Sequence, residues 1–131
     1  MHVALAILGV GWAGVLSWWD LRHRRLPNLL VLPVAAGAVI AALLWHPAAL
    51  LGLLWPLLYT IVPGIGGGDV KLAIPLGIAT WWIHPLATCA SIGLASIVSL
   101  LAALITRQRS VPHGPAMLLA AALAVGLWRW M

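Results

Sequence analysis

Asp20 and Asp69 are the only carboxylate side chains in a sequence of 131 residues, and the chemistry open to them is that of a coupled acid pair. Two carboxyl groups brought to one place cannot both ionise cheaply, so they hold a single proton between them. The ionised member can take a proton from water while the protonated member gives one to a carbonyl oxygen. That suffices to hydrolyse a peptide bond with no nucleophilic serine or cysteine, no metal and no cofactor. No rival set of groups stands out elsewhere. Ser91, Ser96 and Ser99 lack a Gly-x-Ser-x-Gly setting. The five histidines show no His-x-x-x-His spacing with an acid. A single cysteine, Cys89, rules out an intrachain disulfide and a cysteine zinc site; in its apolar run it reads as a small packing residue.

Each aspartate also has a plain structural role available. Asp69 stands where a helix N-cap would, and Asp20 could pair with Arg24 four residues on. Two points weigh against both roles together. A negative charge at a helix C-terminus, where Asp20 falls, is opposed by the helix dipole. And a chain with no other acid has little reason to keep two for its surface. Asp69 is preceded by Pro63-Gly64-Ile65-Gly66-Gly67-Gly68. Glycines let another backbone approach closely, as an extended peptide docking beside an acid requires; a plain interhelical turn is the alternative. The run is not a phosphate-binding loop, because Lys71 lies between Val70 and Leu72 and no Gly-Lys-Ser/Thr is present.

The elements that must position these acids are read from composition. Of the residues, 64% are hydrophobic and 7% charged, and mean hydropathy is +1.11. A water-soluble domain carries about 25% charged residues, so lipid has to cover most of this exterior. The net charge of +5 then reads as membrane orientation and attraction to anionic lipid, with no nucleic-acid partner. The first apolar run lacks leading positive charge and ends in Trp18 and Trp19; it reads as a permanent helix and not a cleaved signal.

Apolar segments fall near 2–19, 29–45, 49–62, 70–83, 86–105 and 115–130. The expectation is an all-α, polytopic membrane helix bundle of about six transmembrane helices, forming one domain over residues 1–131. The third and fourth segments are the short ones, reaching only ~21 Å as α-helices against a core of ~30 Å. With six spans, Arg22, Arg24, Arg25, Lys71, Arg107 and Arg109 fall on one side and Arg129 on the other. The positive-inside rule makes the first side cytoplasmic. Trp18, Trp19, Trp45, Trp81, Trp82, Trp128 and Trp130 lie near span ends, as an interfacial belt does. Both aspartates are then at the cytoplasmic boundary, at one depth.

Three stretches resemble the prepilin peptidases, the type IV leader peptidase family of membrane aspartyl proteases. Asp20-Leu-Arg-His-Arg-Arg-Leu-Pro-Asn28 is similar to the family's first aspartate motif, and Gly66-Gly-Gly-Asp-Val-Lys-Leu72 to its Gly-x-Gly-Asp motif. Val111-Pro-His-Gly-Pro-Ala116 resembles the segment that opens the last helix. The resemblance implies that Asp20 and Asp69 are the catalytic pair and that the substrate is a type IV pilin-like precursor, its leader cut at the cytoplasmic face. Gly66, Gly67, Gly68, Lys71 and Asn28 become candidate substrate contacts, with capping the alternative for Asn28 and reaching to the interface the alternative for Lys71. Implied partners are the precursor, membrane lipid and pilus assembly proteins. Larger members carry a cytosolic domain with paired Cys-x-x-Cys motifs and methylate the new N-terminus. One cysteine and no such domain argue against methyltransferase activity here, and the chain resembles the short form. His113 departs from the aromatic or aliphatic residue usual at its place. The alternatives are a non-catalytic membrane partner of a pilus machine and a proton-coupled transporter.

Overall fold

A backbone in lipid has no water to bond, so each apolar segment must satisfy its own N–H and C=O groups, and these segments do so as helices. The computed structural model describes residues 2–23, 26–62, 67–107 and 113–130. Among them are six α-helices and one 3-10 helix, with no strand: α1 (His2–His23), α2 (Asn28–Trp45), the 3-10 helix (Pro47–Leu53), α3 (Leu54–Ile61), α4 (Gly67–Ile83), α5 (Pro85–Thr106) and α6 (Gly114–Trp130). The molecule is an all-α bundle. α1, α2 and α5 are long and apolar enough to cross a membrane, while α6 and the Pro47–Ile61 stretch are shorter apolar segments. Their outward faces carry exposed Val3, Ile7, Ile40, Leu44, Ile97 and Ile105, the surface expected of a membrane protein.

The third apolar segment is not one α-helix. Pro47 opens the 3-10 helix at a first-turn position, where the missing N–H breaks no bond, and α3 continues from Leu54. A 3-10 helix rises about 2.0 Å per residue against 1.5 Å, so the two pieces in line reach about 26 Å and recover much of the length the segment lacks as an α-helix. At the crossing with α4, Gly52 and Gly77 meet backbone to backbone. A Cβ on either would overlap the other's carbonyl oxygen, so only glycine permits this approach.

The fourth segment is short for another reason. α4 packs against α2, the 3-10 helix, α3, α5 and α6, burying Leu72, Ala73, Leu76 and Ile78. It is the central helix and rests on protein on most sides. Its one buried hydroxyl, Thr80, is satisfied by the Leu76 carbonyl at 2.8 Å and by Thr88 of α5 at 2.8 Å. The main core joins Leu16, Val31, Trp55, Leu72 and Met117 from five helices. α1 packs chiefly on α6 and bonds to α2 through Trp12 Nε1, which donates to the Leu30 carbonyl at 2.9 Å. Between α1, α4 and α6 an apolar cleft of about 770 Å³ remains, lined in part by Gly9, Ala13, Ala79, Ala122 and Gly126. Cys89 is exposed on α5, so it does not fill the interior as its sequence context implies.

The up-and-down chain path sorts residues onto two ends. The C-termini of α1, α3 and α5 and the N-termini of α2, α4 and α6 share one end, with Asp20, Asn28, Asp69, Lys71 and Arg107. The other end carries Trp45, His46, Trp82, His84, Trp128 and Arg129.

Candidate active site

α1 runs on past Asp20 to His23, so Asp20 occupies the helix's last turns and its carboxylate faces α6. It is 4% exposed, the one buried charged residue of the described chain. Its Oδ2 accepts the Gly114 backbone N–H at 3.0 Å. The first N–H groups of a helix have no partner within it, and Gly114 is the first residue of α6. A carboxylate from a distant helix thus takes a free donor at the positive end of α6, the placement the dipole favours. The closeness demands glycine: a Cβ at position 114 would lie 2.6 Å from Asp20 Oδ2 and 3.3 Å from Leu26 Cδ2.

Asp69 is the third residue of α4, inside the first turn and half-buried. It follows the helix start, which sets aside the N-cap role. Asp69 and Asp20, separated by 49 positions in sequence, thus lie at the same end of the bundle. Leu26 ties their supports together. It contacts the position of Gly114 on α6, and a Cβ on Gly68 of α4 would lie 3.4 Å from Leu26 Cβ. Gly67 is exposed with open space around it. Gly66 lies outside the described residues, as do Arg24 and the remainder of the glycine-rich turn.

Asn28 and Lys71 find each other: Lys71 Nζ donates to Asn28 Oδ1 at 3.2 Å. Asn28 is therefore not the side-chain cap of α2. Pro27 is the capping residue, and its carbonyl accepts the N–H groups of Leu30 and Val31, each at 3.1 Å. The Lys71–Asn28 bond links α4 to α2 beside the acids. Among the described residues, no three or more His, Cys, Asp or Glu side chains come together as a metal site would require.

The residues that the sequence left unassigned are Tyr59, Ser99 and His113. Tyr59, fixed edge-on against fully buried Trp55 at 6.1 Å between ring centroids, meets His113 Nε2 through its hydroxyl at 2.7 Å. The other ring nitrogen of His113, Nδ1, is bonded to the Ser99 hydroxyl. Burial pushes the His113 imidazole below its ordinary pKa and so favours the neutral ring. The only signal of this trio in the sequence is the unusual histidine itself.

The arrangement places two carboxyl groups at one end of the bundle, one held on a helix N-terminus and the other in the first turn of a glycine-led helix. A family model described as the type IV leader peptidase family matches residues 7–128. Neither a curated protein nor a solved structure is significantly similar to the chain.

Proposed function

The chain belongs to the type IV leader peptidase family, and from that premise we propose that it is a membrane aspartic endopeptidase with Asp20 and Asp69 as its catalytic pair. The observation that carries the proposal is that the chain's only two acids, distant in sequence, lie at one end of the bundle, Asp20 buried against the N-terminus of α6 and Asp69 in the first turn of α4. Family membership makes it a leader-peptidase-type protease acting on prepilin-like precursors. The pair supplies a mechanism that needs no further group.

In this mechanism an extended leader lies along the glycines before and at the start of α4. Asp20 and Asp69 share one proton, and the ionised member takes a proton from water. The protonated member delivers its proton to the oxygen of the scissile carbonyl as the tetrahedral intermediate forms. Return of the protons to the leaving amine and to the pair completes hydrolysis. Lys71, held by Asn28, stands one turn-fraction past Asp69 and is the nearest described cation to the pair along α4; its ammonium suits a substrate carbonyl or the precursor's own acid.

The membrane is the cytoplasmic membrane in this reading, with the acid end facing the cytoplasm. Arg22, Lys71 and Arg107 share that end, and the positive-inside rule places it there. Cutting at this edge removes a polar leader while the apolar stem stays in lipid.

The test is cleavage of a co-expressed type IV prepilin, read by gel shift, with wild type, Asp20→Asn and Asp69→Asn compared at equal membrane insertion. Asparagine keeps shape but cannot share a proton, so each variant is expected to lose roughly 10²–10⁴-fold in rate. Wild-type cleavage by either variant sinks the shared-proton mechanism. A wild type inert on all prepilins of its genome puts a non-catalytic assembly role in its place.

A further inference from the structure

The glycine that Asp20 requires creates a difficulty that His113 answers. Position 114 must lack a Cβ to let the carboxylate in, yet glycine is the residue least able to hold its own backbone direction. The Gly114 N–H and the His113 carbonyl belong to one planar peptide unit, so whatever fixes His113 also aims the N–H. Three bonds fix it. The His113 carbonyl accepts the Met117 N–H at 3.0 Å, seating it at the start of α6. Nε2 is bonded to Tyr59 of α3 at 2.7 Å, and Nδ1 to Ser99 of α5. A neutral imidazole offers one donor and one acceptor, and each hydroxyl can take either part, so both ring bonds form together without a buried charge.

We propose that His113 is a positioning residue: its bonds to Tyr59 and Ser99 hold the His113–Gly114 peptide so that the Gly114 N–H stays on Asp20. The inference rests on the reading of Asp20 and Asp69 as the catalytic pair. None of the three side chains touches substrate in this role. The role also accounts for a histidine where the family resemblance leads one to expect an apolar side chain.

The experiment measures kcat and KM for a purified type IV prepilin in detergent micelles, with the melting temperature of each enzyme recorded alongside. His113→Phe keeps the ring and removes both bonds; it is expected to lower kcat about tenfold with KM within about twofold, at temperatures where the protein remains folded. His113→Gln, which can still reach Tyr59, recovers part of that loss. Tyr59→Phe lowers kcat in wild type and adds little on the His113→Phe background, since both cut one support. The proposal is overturned by a His113→Phe enzyme with wild-type kcat, by a loss confined to KM, by a loss that tracks the unfolded fraction, or by a Tyr59→Phe effect equal in both backgrounds. Asp20→Asn, run in parallel, separates the two levels: if it cleaves normally the catalytic pair is wrong, whereas an inert Asp20→Asn beside a fully active His113→Phe removes only the positioning role.

Discussion

Between helices, the two ends of the bundle hold polar groups by different physics. At the acid end, directional hydrogen bonds cross between helices: Asp20 to Gly114, Lys71 to Asn28, and His113 to both Tyr59 and Ser99. At the opposite end, rings lie on rings. His46 meets Trp82 at 5.3 Å and His84 stacks on Trp128 at 5.6 Å between centroids, while the His84 imidazole also caps α5 locally by accepting the Leu86 N–H at 3.1 Å. A stack tolerates some sliding, and its apolar faces suit a membrane interface. A hydrogen bond weakens steeply once its angle is lost. Small displacements should therefore cost turnover at the acid end and little at the other.

Glycines offer the sharpest way to break this comparison. Gly114 and Gly126 lie on the same helix, one at each end. A Cβ at 114 runs into Asp20 Oδ2, whereas one at 126 meets nothing within 4 Å. Gly114→Val is expected to cut prepilin cleavage by about 10²-fold or more, the scale of a misplaced catalytic group. Gly126→Ala, projecting into the open cleft, should leave it within roughly twofold. Equal losses in the two variants would show that α6 responds as a rigid whole and that the acid end has no special demand.

A third region, the glycine crossing at mid-height, belongs to neither end and should respond in stability. Gly77→Ala puts a methyl against the Gly52 carbonyl, and the 3-10 helix must move away from α4. Overpacking of this kind costs about 1–3 kcal/mol. The expected readout is a lower melting temperature in detergent, with cleavage by the protein that stays folded less affected than in Gly114→Val. An unchanged melting temperature would mean that the crossing relaxes freely.

The sequence discloses these regions unequally. Hydropathy marks all six segments to within a few residues, because lipid burial acts on every side chain of a span. It does not distinguish a 3-10 helix from an α-helix, since both hide the same residues, so the division at Leu54 is invisible in it. Nor does it say that α4 is central; six of the seven buried residues of that helix, all but Thr80, are apolar in either setting. Asp20 and Asp69 stand out by scarcity, and Gly114 by its place beside Pro115 in a motif. Asn28 and Lys71 were legible as site neighbours, but not as partners of each other, since 43 positions separate them. Tyr59 and Ser99 give no signal, because an isolated tyrosine or serine in an apolar run has many uses and only the fold selects one.

The smallest effect concerns pH and His113 of the acid end. Burial holds the His113 pKa below its ordinary value of 6.5, so between the two values the unfolded chain binds a proton there that the folded chain refuses. Unfolding is then favoured by added protons. The stability contributed by a neutral His113 is fully present above about pH 6.5 and is lost as pH falls through the lowered folded value. The melting temperature of the wild type should fall in that acidic window. His113→Gln cannot titrate and should fall less over the same interval, whatever its starting stability, and the difference in slope isolates this one ring from every other titrating group. Parallel slopes for wild type and His113→Gln would mean that protonating this imidazole costs the fold nothing, and the bonds to Tyr59 and Ser99 would then have to be as good for a charged ring as for a neutral one.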